Sequence, residues 1–265
     1  MNAPDTPAII GLSEVSATAE EPIEKFAQIH RWDLSVQEAQ ALQAHLATRV
    51  SLSNEVPEQP RYVVGTDISG PDARGIARGS AVVLRLPDLS VVEVKCVLGK
   101  PGFPYVPGLL SFREAPLVLG ALERLTIVPD LLLVDGQGLA HPRRFGLACH
   151  LGLLTGLPTI GCAKSILAGR HGALGQTRGS SALMEDKGQV VGAALRSRDS
   201  VTPVYVSVGH KVDLESALRW ALACCKRYRI PEPTRLAHLA AAGRLEEIEP
   251  PSVQATAQPL TGRAD

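Results

Sequence analysis

The sequence predicts a mixed α/β sheet, on two observations. Three apolar strand-like segments, 61–69, 79–86 and 90–98, follow one another with only short turns between them. After residue 108, apolar strands alternate with helix-patterned segments. Strands that first run up and down and then alternate with helices build one sheet with mixed pairing, flanked by helices.

The elements follow in order. In 23–52, Ile23, Phe26, Ile29, Leu34, Ala39, Leu42 and Leu46 recur at near-helical spacing, which predicts a helix. NEVPEQP (54–60) breaks it. RYVVGTDIS (61–69) is a strand, and GSAVVLRL (79–86) and SVVEVKCVL (90–98) are joined by a hairpin-length turn. In the last of these, Glu93 and Lys95 fall on one face and Val92, Val94, Cys96 and Leu98 on the other. GKPGFPYVPG (99–108) is a loop, and 109–125 a helix in which Pro116 forces a kink or a late start. DLLLVDG (130–136) is a buried strand, 141–156 a helix and 158–167 a strand with its following turn. A basic, Gly-rich loop occupies 168–182. Strands are expected at 189–195 and 203–209, a helix capped by Asp213 at 213–228, and a last helix at 233–243 closed by Gly243. One domain over 23–246 is expected, with polar, Pro- and Ala-rich tails at 1–22 and 247–265.

Composition narrows the class. The 265 residues are 45% hydrophobic, enough for one large core. Lys+Arg and Asp+Glu number 27 each, so net charge does not announce a nucleic-acid partner, although a local basic patch could still bind one. No apolar run approaches the roughly 20 residues that span a bilayer, and no secretory signal is evident, so a cytoplasmic protein without membrane contact is expected. Five cysteines without metal-ligand spacing suit a reducing compartment and argue against zinc.

The carboxylates carry the chemistry. Asp67 is the one charge in the apolar run VVGTDI, and Asp135 ends LLLVDG. Buried lone carboxylates are costly unless a cation answers them. If both strands are central neighbours, the two side chains converge at one sheet edge, and Glu114 in SFREAP is a third candidate. Three acids suit an oxygen-loving cation such as Mg²⁺ and the cutting of phosphodiesters. Ser111-x-x-Glu114 also reads as a capping box, which Pro116 weakens. Lys164 in GCAKS is a strand-end lysine or a cation for a phosphate oxygen, and His210 in SVGHKVD a loop histidine or a metal neighbour. Arg143 and Arg144 are a solvated pair or phosphate contacts. Tyr105, stiffened by the prolines around it, packs in its own loop or stacks at an opened base step.

VVGTDISG, PYVPGLLSFREAP, LLLVDGQGLAHPRRFGLACHLG, PTIGCAKSIL, PVYVSVGHKVDLESAL and TRLAHLAA occur in the order found in the endonuclease V family, which the chain resembles over about residues 60–240. PYVPGLLSFRE and DGQGLAHPRRFG are long and specific. The resemblance implies an RNase H-like fold and a Mg²⁺-dependent endonuclease, with Mn²⁺ also supporting activity. It implies recognition of deoxyinosine in DNA and a nick at the second phosphodiester 3′ to it, leaving 3′-OH and 5′-phosphate. By residue, it implies Asp67, Asp135 and Glu114 as metal ligands, the last through a water in one arrangement. It implies His210 near the metals, Lys164 at the cut phosphate and Tyr105 as a wedge. Gly108, Leu110, Gly136, His141, Leu147 and Leu167 would line a hypoxanthine pocket, and Arg113, Arg143 and Arg144 would touch the backbone. A basic face is expected from these arginines with Lys100, Lys164, Arg170 and Arg178. Gln137 departs from the His or Asn expected there. A monomer is expected. The alternatives are a ribonuclease acting on inosine in RNA and a non-catalytic lesion-binding protein.

Overall fold

The computed structural model describes residue 26 and residues 29–250. Helix α1 (Val36–Ala47) is shorter than the 23–52 pattern suggests. Ser35 starts it: its hydroxyl accepts from Glu38 N–H, while the Glu38 carboxylate accepts from Ser35 N–H. Upstream, Ile23 lies outside the described residues. Phe26, Ile29 and Leu34 sit in irregular backbone as apolar props against the core, so burial alone produced their helix-like spacing.

Strands β1 (Tyr62–Ile68), β2 (Ala77–Arg85) and β3 (Ser90–Gly99) pair antiparallel, β2 with both neighbours. A register shift at Val83/Leu84 makes Val92 an extra residue in β3. Val92 therefore packs on one face of the sheet and Val94 and Cys96 on the other, which corrects the simple alternation read from sequence. Glu93 is fully buried and accepts from Thr126 N–H at 2.8 Å and Ile127 N–H at 2.9 Å. Lys95 pairs with Glu249, and Ile248 bridges Val94. Residues 247–249, placed by sequence in the C-terminal tail, thus lie against β3, while 251–265 and the expected tail at 1–22 fall outside the described residues.

Helix α2 (Leu110–Glu123) runs through Pro116 with no late start. Burial of Ala115, Val118, Leu119 and Leu122 against the sheet outweighs the roughly 3 kcal/mol that an interior proline costs. Strand β4 (Leu131–Val134), helix α3 (Leu147–Thr155) and strand β5 (Thr159–Ala163) form a parallel unit beside β1. Residues 141–146, expected to be helical, form a turn before α3.

The expected loop at 168–182 contains β6 (Arg170–His171) and the start of β7 (Ser181–Asp186). These two strands at the end of the sheet bury little besides Met184, so no apolar alternation marks them. Strands β8 (Gln189–Leu195) and β9 (Val204–His210) follow. Helix α4 (Leu214–Ala223) starts at Asp213, whose carboxylate accepts from Ser216 N–H at 2.6 Å, and helix α5 (Glu232–Ala241) is last.

The strand order is β3-β2-β1-β4-β5-β9-β8-β7-β6. α4 and α5 cover one face of the sheet, and α2 and α3 the other. An antiparallel meander joined to parallel strands, with helices on both faces, is the RNase H-like arrangement. Because β1, β4 and β5 run parallel, their carboxyl ends share one edge, where a crevice for ligands forms in such sheets. Among the described residues no helix is long and apolar enough to cross a membrane.

Candidate active site

Asp67 is the sixth residue of β1, and Asp135 directly follows β4. Thr66 and Val134 are register partners, so the two aspartates emerge side by side. Their side chains are 14% and 11% exposed. Burial, and then the neighbouring Asp135 charge, push the Asp67 carboxyl up. Glu114 reaches the same edge from α2. Burial first, then Asp67 and Asp135, raise its carboxyl to about 8. The three acids predicted from sequence therefore share one electrostatic environment.

Glycines set this geometry. A Cβ at Gly65 would lie 2.1 Å from the Pro233 carbonyl, so the bare backbone lets α5 sit directly on β1. A Cβ at Gly79 would lie 2.3 Å from Leu117 O, so α2 lies equally close to β2. The first approach brings His238 of α5 to the site, where its Nδ1 is 2.8 Å from Asp67 Oδ2. Sequence reasoning missed His238. It stands in TRLAHLAA, one of the matching stretches, but a half-exposed histidine on a short helix has no spacing that ties it to a strand 171 residues away.

His210 is elsewhere. It pairs with Thr159 at the start of β5, whereas Lys164 follows the end of that strand. Thr159 is the register partner of Leu132, three residues before Asp135, so at about 3.3 Å per residue a strand length of roughly 10 Å separates His210 from the acids. It is buried, and its Nδ1 accepts from Ser51 N–H at 3.1 Å. Lys164 does belong to the site, with Nζ 2.5 Å from Asp135 Oδ2.

Beside the acids lies a cavity of about 380 Å³. Gly108, Leu110, Gly136, His141, Leu147 and Leu167 all line it, as do Asp135 and Lys164. Tyr105, 71% exposed, stands at its rim. Gly108 has φ +79°, a turn that glycine adopts without strain. Its carbonyl accepts from Gln43 Nε2 at 3.0 Å and Arg143 Nη2 at 2.7 Å. Gln43 also donates to Phe145 O at 2.7 Å, and Arg143 Nε donates to its Oε1, so α1 braces the back of the cavity. Burial, and then Arg143, push His141 down to about 4, so it is neutral at physiological pH. Gln137 donates to Ser165 O at 2.8 Å and shares the lining.

The arginines expected on a nucleic-acid backbone have internal partners. Arg113 donates to Phe103 O at 2.7 Å, and Arg144 pairs with Asp186 at 2.8 Å. With Arg143 on Gly108, all three brace loops around the cavity. Arg178, expected on a basic face, donates to Leu222 O and Cys225 O. Lys100, Lys164 and Arg170 are exposed. Ser111 does not cap α2: it lies inside the helix, buried, and the Leu109 N-cap makes no side-chain bond, so the capping box is not formed.

Among the described residues no three His, Cys, Asp or Glu side chains form a ready-made metal cage. The donor set still fits a hard divalent cation. Mg²⁺ is usually held by one or two carboxylates plus substrate phosphates and water, and acidic neighbours raise both Asp67 and Glu114, so a cation there would favour their ionised forms.

Comparison with known proteins gives a consistent picture. A family model described as Endonuclease V matches residues 44–239. Endonuclease V of Trichormus variabilis is 48% identical over 218 residues, 82% of this chain and 98% of its own. The crystal structure of endonuclease V from Streptomyces avermitilis is 46% identical with a TM-score of 0.77, covering 80% of this chain and 93% of that one. A Ciona intestinalis endonuclease V, in complex with a 24mer DNA containing an inosine followed by a ribo-adenosine, is 27% identical with a TM-score of 0.69, covering 78% and 96%.

Proposed function

The chain belongs to the endonuclease V family, and from that premise we propose that it recognises deoxyinosine in DNA and nicks the second phosphodiester 3′ to it, leaving 3′-OH and 5′-phosphate. One observation carries this reading: the cavity and the acid cluster share a wall, because Asp135 and Lys164 line the cavity while Asp135 neighbours Asp67 and Glu114. A base held in the cavity leaves its own backbone beside the carboxylates.

The steps follow from the residues. Inosine pairs weakly, so extruding it costs less than extruding a normal base. Tyr105 fills the gap left in the stack, and the cavity takes the base. Asp67, Asp135 and Glu114 would hold Mg²⁺, which when bound would neutralise phosphate charge and make water more acidic. Lys164 moves from Asp135 toward a phosphate oxygen, placing positive charge where negative charge develops. His238, oriented through Nδ1 by Asp67, keeps Nε2 as a second proton site at the edge of the cluster. His210, at the opposite edge, takes no part.

A second reading has one observation in its favour. The nucleic acid in the Ciona intestinalis complex carries a ribonucleotide after its inosine, so inosine in RNA is kept as an alternative substrate. The test is a nicking assay on end-labelled strands: DNA with one deoxyinosine, the matched adenine control, and inosine RNA, each with Mg²⁺ and with EDTA. A Mg²⁺-dependent nick one nucleotide beyond inosine, absent from the adenine control, is expected. Cleavage without inosine preference, or cleavage in EDTA, would overturn the proposal.

A further inference from the structure

A chain of hydrogen bonds enters the base cavity from behind. His30 Nδ1 is 2.7 Å from the Arg31 carbonyl, His30 Nε2 is 2.7 Å from His150 Nε2, and His150 Nδ1 is 3.0 Å from Ser111 Oγ. Burial pushes both imidazoles below the ordinary histidine value, so each carries a single proton near neutral pH. A carbonyl only accepts, which puts the His30 proton on Nδ1 and leaves its Nε2 bare. His150 must then donate from Nε2 to that bare nitrogen, and its own Nδ1 is bare in turn. The one proton of the Ser111 hydroxyl is committed to His150. The rings of Trp32, Phe112 and Phe145 hold His150 in place.

Ser111 lines the cavity. A serine hydroxyl ordinarily rotates and serves donor or acceptor alike, so it discriminates poorly. Here its proton is spent and only lone pairs remain. The Gly108 carbonyl, already taken by Gln43 and Arg143, is not free for this task. We propose that Ser111, locked as an acceptor through His150 and His30, is a specificity-determining contact for the lactam N–H of the extruded base. Hypoxanthine presents N1–H, whereas adenine presents a bare N1 whose lone pair would face that of Ser111. This rests on the reading of the cavity as the base pocket. His30 lies upstream of the residues matched by the family model, so the relay draws on a residue before that match begins.

Two measurements on the full chain test it. Nitrogen-15 NMR of the histidine-labelled protein should show His150 with a bare Nδ1 and a protonated Nε2, and the opposite tautomer overturns the relay. The second compares nicking at inosine with nicking at nebularine, a purine with no 6-oxo group and a bare N1. In His150→Phe the freed hydroxyl proton can serve that bare N1, so the inosine-to-nebularine ratio should fall about tenfold, the size of one hydrogen bond. Ser111→Ala removes the acceptor and should lower the same ratio, which keeps the test open if His150→Phe does not fold. An unchanged ratio in folded Ser111→Ala overturns the proposal. A wild type that nicks neither base overturns the pocket reading instead, and the tautomer spectrum separates that failure from a failure of the relay.

Discussion

Replacing Glu114 with Gln should make the metal-free protein more stable and nearly inactive. The Glu114 carboxyl rises from an ordinary 4.5 to about 8 in the folded chain, because it is buried beside Asp67 and Asp135. A raised acid leaves stability intact below its unfolded value and removes it as pH climbs through the folded one. At 1.36 kcal/mol per pH unit, the full interval sets a ceiling of about 5 kcal/mol. At pH 7 the part already traversed is about 3 kcal/mol. The three acids share this repulsion, so about 1–3 kcal/mol is the expected gain for Gln, which is never charged. For a chain of this size that is a rise in Tm of roughly 3–10 °C. Thermal melts in EDTA, from pH 4 to pH 9, measure it. Wild type and variant should melt together near pH 4 and separate between pH 5 and pH 8. Added Mg²⁺ should narrow the gap by supplying the missing charge to the wild type. A Tm difference that stays constant across the pH range would refute the reasoning, because it would show that Glu114 carries no charge-dependent cost.

Other outcomes follow from the same geometry. His238→Ala should lower kcat by about a hundredfold or more, the usual size of a lost proton carrier. His210→Ala should cost about 1 kcal/mol of stability through its bond to Ser51 and leave kcat within about twofold. Equal kinetic losses in the two variants would remove the distinction drawn between the sheet edges. Tyr105→Ala should reduce the preference for inosine over adenine more than single-turnover cleavage of bound substrate, and a preference equal to wild type would exclude the wedge. Gly65→Ala should destabilise the fold by at least about 2 kcal/mol in urea melts, since its methyl group would overlap the Pro233 backbone. A neutral result would mean α5 is free to shift, and with it His238.

Much of this was legible in the sequence, and the reasons differ by element. The strands of the sheet centre declared themselves because Val63, Val64 and Leu131 to Val134 are fully buried, which demands unbroken apolar runs. Asp67 and Asp135 stood out against that background. The long helix over 23–52 was misread because apolar props in irregular backbone imitate helical spacing, whereas the Ser35 cap marks the true start. The bulge at Val92 and the outlying strands β6 and β7 leave no periodic trace. His210 and His238 show the deeper limit. Both are single histidines near the end of an element, and only strand direction and the contact at Gly65 decide which one reaches Asp67. The arginines of DGQGLAHPRRFG looked like phosphate contacts because no spacing reveals that Gly108 and Asp186 lie within their reach.

The bracing of Gly108 by Gln43 and Arg143 bears on where the working unit begins. The family match starts at residue 44, one position after Gln43. A fragment cut at that boundary would keep Asp67, Glu114 and Asp135 and the whole sheet, yet it would lose the donor that ties Gly108 to Phe145. It would remain a nuclease in outline, with Gly108 held by Arg143 alone. For this chain, the family model and mechanical integrity set the first residue in different places, and expression or fusion designs should follow the second.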